Sequence, residues 1–195
     1  MSNLHAPDEA VTDSRVALNY LKEGNLRFVN DTPIPRDTNK ADMEITKNGQ
    51  KPFAIILTCA DSRVSPEIYF DQKMGDIFVL RNAGNVADPS VIGSIEFAVG
   101  ALGAPLIVVV GHSKCGAVYG AYSGKKDFWP ALQNVLDGIR ENVKDSPDEE
   151  QGMLSNVCCQ VDKIKSNAVV KEKGAVVIGA DYDLDTGEVR FHENC

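Results

Sequence analysis

Short apolar runs alternate along this chain with longer segments in which apolar residues recur at helical spacing. Four of the runs are nearly continuous: Phe53–Thr58, Ile77–Leu80, Leu106–Val110 and Ala175–Ile178. Uninterrupted runs of this length are typical of strands that are buried on both faces. The pattern therefore predicts four parallel strands in one sheet.

Helices are predicted before and between these strands. The first spans residues 10–29, with Ala17, Leu18 and Leu21 on one face. Further helical segments are predicted at residues 90–102, 128–142 and 153–170. Strands that alternate with helices indicate an α/β layer with right-handed crossovers.

The end of the chain has a different pattern. Residues 185–187, Asp-Thr-Gly, are a turn signal, and residues 188–192 alternate between polar and apolar. We therefore predict a single α/β domain over residues 1–195. Its central, mostly parallel β-sheet has four parallel strands plus a C-terminal antiparallel edge strand and is flanked by α-helices, and residues 1–35 form an N-terminal helical arm.

Composition excludes several classes of function. The formal net charge is −8, which argues against nucleic-acid partners and against a polybasic membrane patch. No window is apolar enough to span a bilayer, and the N-terminus does not resemble a secretory signal, so a cytoplasmic, reducing location is expected. The five cysteines are then better explained by metal binding or burial than by disulfides.

Chemically active side chains follow two of the predicted strands. Cys59, Asp61 and Arg63 come directly after the first strand, and His112 and Cys115 come after the third. In open parallel sheets, ligands bind outside the carboxyl ends of the strands. If the two strands are neighbours, these side chains lie close together.

Two thiolates and one imidazole form the ligand set of a zinc site with an open fourth position. A cysteine at a strand end is most often a small buried hydrophobe, and one His-x-x-Cys sequence is common by chance. The presence of both patterns at two strand ends favours the metal. Asp61 and Arg63 strengthen this interpretation, because a carboxylate and a guanidinium at a strand tip need each other or a ligand.

These segments resemble the β-class carbonic anhydrases. The resemblance rests on "CADSRV" at residues 59–64 and "GHSKCGAV" at residues 111–118, and it extends to "GNLRFV", "GDIFVLRNAGN", "GSIEFAV" and "GADYDLDTGEV". It covers nearly the whole chain, and its motifs are highly specific.

The resemblance implies that Cys59, His112 and Cys115 bind one Zn²⁺ per chain, and that Asp61 and Arg63 form a catalytic dyad. In the family, this aspartate either accepts a hydrogen bond from zinc-bound water or becomes the fourth ligand in a closed state. The implied reaction is the reversible hydration of carbon dioxide to bicarbonate and a proton by zinc-bound hydroxide.

The resemblance also implies an apolar substrate pocket at a homodimer interface. Gln50 and Phe78 match pocket positions, Phe97 stands where plant-type members have tyrosine, and Gly116 completes the predicted pocket. For each phenylalanine alone, ordinary core packing is the better explanation, and Gln50 could equally be a solvated loop residue. The family's smallest unit is a dimer, and the sequence leaves the choice between dimer and tetramer open.

Some family members carry a second, inhibitory bicarbonate site. The tryptophan of that site corresponds to Ile56 here, and the tryptophan of this chain, Trp129, lies elsewhere, although Arg81 matches. We therefore expect no such site and an open zinc coordination at neutral pH.

The remaining cysteines and histidines carry weaker expectations. Cys158 is expected on the buried face of a helix, and Cys195 is expected to be an exposed free thiol. Neither His5 nor His192 is placed by sequence as an obvious proton shuttle.

Three alternatives remain open. A zinc hydrolase of carbonyl sulfide or carbon disulfide would use the same ligands. A non-catalytic zinc-binding protein would need four protein ligands and no vacancy. A thiol-redox protein is disfavoured because the sequence contains no Cys-x-x-Cys.

Overall fold

A computed structural model describes residues 10–35 and 39–195 of the chain. The expectations for His5 and for the first part of the N-terminal arm lie outside these residues. The helices are α1 Ser14–Val29, α2 Asn39–Thr46, α3 Pro66–Tyr69, α4 Pro89–Gly100, α5 Gly116–Tyr122, α6 Pro130–Val143, α7 Glu149–Lys165 and α8 Ala168–Lys173. The strands are β1 Ala54–Cys59, β2 Ile77–Asn82, β3 Leu106–His112, β4 Val176–Tyr182 and β5 Val189–His192.

The five strands form one sheet in the order β2-β1-β3-β4-β5. Strands β1 to β4 run parallel, and β5 pairs antiparallel with β4 at the edge. The predicted fold class is therefore confirmed, including the C-terminal edge strand.

Side chains of the central strands alternate between two apolar layers. Ile55, Leu57 and Cys59 face a core built with α4 to α8, whereas Ala54 and Ile56 face a core built with α1 and α3. Because both faces of β1 and β3 are covered, every residue of these two strands is buried.

Strand β2 departs from the predicted pattern. It lies at the edge of the sheet, and most of its residues after Ile77 are only partly buried. The prediction that all four runs are buried on both faces was therefore wrong for this strand, because the flanking helices cover the faces of this edge strand incompletely.

Strands β1 and β3 also extend further toward their carboxyl ends than predicted. Strand β1 ends at Cys59, and β3 ends at His112. The two residues are therefore the last members of the sheet ladder, where Cys59 pairs with Asn82 and His112 pairs with Tyr182. Their backbones are fixed by the sheet itself.

Helix boundaries follow capping chemistry. Asp13 caps α1 by accepting a hydrogen bond from the N–H of Arg15. The segment predicted as one helix over residues 153–170 is broken, because the Asn167 side chain accepts from Val169 and Val170 and begins α8.

The cysteine expectations need correction. Cys158 and Cys195 form a disulfide, so Cys195 is not a free thiol and Cys158 is not simply a buried hydrophobe of its helix. The sequence argument weighed chain length and compartment, whereas the bond depends on the end of the chain returning to α7.

Within the described residues, none of the helices has both the length and the apolarity that a bilayer span requires.

Candidate metal centre

The candidate centre lies where β1 and β3 end side by side. The two strands are paired in parallel up to Thr58 and Val110, so Cys59 and His112 leave the sheet at the same edge. Cys115 follows after a tight turn in which Lys114 adopts a left-handed conformation, with φ of 57°. Cys115 then precedes the first residue of α5.

The three predicted ligands converge. One ligand atom from each of Cys59, His112 and Cys115 lies within 4.8 Å of the others, and the two sulfurs are 3.9 Å apart. All three residues are buried. In the described part of the chain, this is the one group of three or more potential ligands that could hold a metal ion.

The imidazole of His112 is oriented for coordination. Its Nδ1 lies 2.9 Å from the carbonyl oxygen of Ser113, which fixes Nδ1 as the protonated nitrogen. Its Nε2 is buried and has no hydrogen-bond partner. A buried lone pair without a donor is costly in an empty site, and a metal ion would satisfy it.

The pKa values of the two thiols are shifted in opposite directions. Hydrogen bonding from Cys115 lowers the pKa of Cys59, whereas the bond to Cys59, followed by burial, raises the pKa of Cys115. Two buried sulfurs this close resist carrying two negative charges. A divalent cation removes that conflict, so the donor set fits Zn²⁺ with two thiolates and one neutral imidazole.

Asp61 and Arg63 form a bidentate ion pair beside the cluster. Arg63 donates from Nε to Asp61 Oδ1 at 2.9 Å and from Nη2 to Oδ2 at 2.8 Å. Hydrogen bonds from Arg63 hold the pKa of Asp61 well below its usual range. Asp61 is therefore an anionic acceptor at any pH near neutrality.

Arg81 has a contact that the sequence did not reveal. Its guanidinium donates to the carbonyl oxygen of Cys59 at 3.1 Å and to that of Asp61 at 2.7 Å. Sequence reasoning associated Arg81 only with a regulatory site of the family. Here the side chain braces the loop that carries a candidate ligand and the candidate dyad.

The predicted pocket residues are more dispersed. The rings of Phe78 and Phe97 are 6.4 Å apart in a tilted arrangement, and Phe97 is exposed. Gln50 is exposed ahead of β1, and Gly116 is exposed at the start of α5. Their grouping into one pocket stays a prediction.

A cavity of about 260 Å³ borders His112 and Cys115 on the side of α7 and β5. Val118 and Met153 form apolar walls, and Arg190 contributes a cation. None of the four predicted pocket residues lines this cavity.

Close packing behind His112 was also not foreseen. A Cβ on Gly111 would lie 2.5 Å from Met153 Sδ and 2.7 Å from Val157 Cγ2. Side chains of α7 therefore approach this position of β3 too closely to leave room for a side chain.

Comparison with known proteins places these features in context. A family profile described as carbonic anhydrase matches residues 54–189. Carbonic anhydrase 2 of Mycobacterium tuberculosis is 50% identical over 198 residues, covering 94% of this chain and 95% of that protein. The carbonic anhydrase of Mycolicibacterium smegmatis is 48% identical, covering 89% and 91%.

Solved structures agree. The β-carbonic anhydrase CcaA superimposes with a TM-score of 0.71 at 26% identity, covering 89% of this chain and 86% of that one. A Coccomyxa β-carbonic anhydrase solved in complex with acetazolamide gives a TM-score of 0.72 at 24% identity, covering 93% and 86%, which shows a shared fold.

Proposed function

The chain belongs to the β-class carbonic anhydrases, lyases of the carbonate dehydratase type, and on this premise we propose that it hydrates carbon dioxide reversibly to bicarbonate and a proton at Cys59, His112 and Cys115. The observation that carries the proposal is the convergence of two buried sulfurs and a partnerless imidazole nitrogen within 4.8 Å. These three side chains would hold one Zn²⁺ per chain.

Zinc bound there would supply Lewis acidity, lowering the pKa of a water molecule to about 7 and so providing hydroxide to attack carbon dioxide near neutral pH. The protein's contribution is the ligand set, in which His112 is held in one tautomer by the Ser113 carbonyl. A fixed tautomer keeps the Nε2 lone pair available to a metal ion.

Asp61 would act as the acceptor that orients the nucleophile. Because it is ionised and offers only lone pairs, it takes a hydrogen bond from the remaining proton of the attacking oxygen. The lone pair of that oxygen is then directed at the carbon of carbon dioxide. Such orientation is a large part of what a positioned side chain contributes to rate.

Arg63 would keep Asp61 in this role. Its two parallel hydrogen bonds occupy both carboxylate oxygens, which disfavours movement of Asp61 into the coordination sphere as a fourth ligand. This arrangement supports an open coordination position. It also disfavours the non-catalytic alternative, which would require Asp61 to be a permanent ligand.

Gln50, Phe78, Phe97 and Gly116 remain the proposed substrate pocket, completed by a second copy of the chain. Exposed apolar side chains on α1 to α3, including Leu26, Ile45 and Ile68, support a homo-oligomer with a dimer as its basic unit. The proposed location is the cytoplasm, and the net charge of −8 supports the absence of nucleic-acid partners.

One preparation tests the proposal by zinc analysis and stopped-flow hydration of carbon dioxide. We expect one zinc per chain, and kcat/KM that rises with pH above about 7, because hydroxide is the nucleophile. A flat profile from pH 6 to 9 contradicts the mechanism. Sulfide release from carbonyl sulfide that exceeds carbon dioxide hydration would favour the alternative hydrolase.

A further inference from the structure

The turn behind the metal centre is held in an unusual conformation. Residues Ala83–Asn85 connect β2 to the segment before α4, and Gly84 and Asn85 have φ of 71° and 47°. Two successive left-handed residues, one of them not glycine, persist only where their surroundings hold them. Both residues are buried, so contacts inside the protein must do this.

This turn touches a candidate ligand directly. Asn82, the residue before the turn, pairs with Cys59 in the sheet, and its carbonyl oxygen accepts a hydrogen bond from the N–H of Ala60 at 2.9 Å. The Gly84 N–H, which follows, contributes as a hydrogen-bond donor to lowering the pKa of the Cys59 thiol. A donor to a thiolate withdraws charge from the sulfur and thereby limits the charge that the sulfur gives to a metal. The orientation of the Gly84 peptide group therefore matters at the centre.

Two amides on α7 hold the turn. Asn156 donates from Nδ2 to the carbonyl oxygen of Gly84 at 3.0 Å, and Gln160 accepts from the N–H of Ala87 at 2.9 Å. Gln160 Nε2 also donates to Asn156 Oδ1 at 3.2 Å, as does Asn142 at 3.0 Å.

Both amides are almost completely buried and stand four residues apart on one face of the helix. Every polar atom of the pair has a partner. Each amide is consequently fixed in a single orientation, and the pair forms a rigid link between α7 and the turn.

We propose that Asn156 and Gln160 are positioning residues of the metal centre, which hold the Ala83–Asn85 turn in place beside Cys59. The proposal rests on the proposed function in one respect, that a metal ion occupies the cluster. Because Asn156 and Gln160 lie in the interior, the proposal does not depend on the oligomeric state.

The proposal has a spectroscopic consequence. When the amide pair is lost, the turn relaxes and Cys59 loses a donor, so its sulfur becomes richer in electrons. In a cobalt-substituted protein, the sulfur-to-cobalt charge-transfer band then moves to lower energy. The relaxed turn also holds Cys59 less firmly in the orientation that binds a metal, so zinc release to a chromophoric chelator is expected to be about 10-fold faster, at the lower end of the effect of outer-shell partners.

The experiment compares cobalt spectra and zinc release for the full-length wild type, Asn156→Leu and Gln160→Met. Asn25→Leu is the matched control. Asn25 is also a buried amide with three hydrogen bonds, to Tyr69 O at 3.0 Å, to Gly187 O at 2.8 Å and from Val189 N at 2.8 Å. It lies in the other core, against α3 and the β4–β5 turn.

A shifted band and faster release in either α7 variant, with wild-type values in Asn25→Leu, support the proposal. If Asn156→Leu does not fold, the result for Gln160→Met decides. This variant is the milder one, because it loses the bond to Ala87 but retains the bond from Asn156 to Gly84. An unchanged band and rate, or an equal change in the control, overturn it while the proposed function stands. Wild type that binds cobalt without a thiolate band overturns the proposed function, and this inference with it.

Discussion

The two sides of the metal centre are built in opposite ways. On the solvent side, Asp61 and Arg63 are two residues apart in sequence, and the Arg63 side chain is 53% exposed. On the inner side, Asn156 and Gln160 are almost completely buried and lie more than seventy residues beyond the turn that they hold. Both sides orient a group next to the same cluster.

The two sides differ in how far apart in the sequence the interacting residues lie. The solvent side is local, because one loop carries both partners and needs only the end of β1 to aim it. The inner side depends on the packing of α7 against the sheet, so its residues are far in sequence from the turn that they hold. Changes on the two sides should accordingly affect different properties.

The largest effect is expected when the centre itself is removed. His112→Ala should lose zinc and reduce kcat/KM by about 1,000-fold or more, because two thiolates alone do not complete the ligand set. Zinc analysis and stopped-flow hydration measure both. His192→Ala is the control, since His192 pairs with Asp181 at 2.6 Å and should keep both properties. Normal zinc content in His112→Ala would contradict the assignment.

A smaller effect is expected on the solvent side. Arg63→Ala frees Asp61, which stays ionised at neutral pH, to become a fourth ligand, so activity should fall by about 100-fold while zinc content stays near normal. Arg15→Ala is a matched control, because Arg15 pairs with Asp13 in the same two-residue spacing, at 3.0 Å. Zinc loss in Arg63→Ala would instead indicate a structural role.

The smallest effect is expected on the inner side, where a change in the turn should alter the free energy of unfolding. A Cβ on Gly84 would lie 2.4 Å from Ile139 Cδ1, in a left-handed conformation, so Gly84→Ala should cost about 2 kcal/mol in the free energy of unfolding. Gly138→Ala, in the exposed face of α6 with no atom near the new Cβ, should gain about 0.5–1 kcal/mol. Urea unfolding measures both, and equal stabilities would show that the turn adapts easily.

The sequence could predict what depends on local pattern. Apolar runs located the strands, and the residues at their ends identified the cluster formed by Cys59, His112 and Cys115. The pairing of Asp61 with Arg63 was also predictable, since a carboxylate and a guanidinium on one short loop have few other partners.

What the sequence could not predict depends on distant packing. The edge position of β2 follows from the order of the sheet, and the Cys158–Cys195 bond follows from the return of the chain to α7. One signal was available for the inner side. Asn156 and Gln160 interrupt the apolar face of α7, and buried amides on such a face need partners elsewhere in the protein.

The bond between Cys158 and Cys195 has a topological consequence. It closes residues 158–195, which include α8, β4 and β5, into a covalent macrocycle. A single break of the backbone at the exposed residues Asp185 and Thr186 would therefore leave one connected molecule, whose two pieces separate only after a reductant opens the bridge.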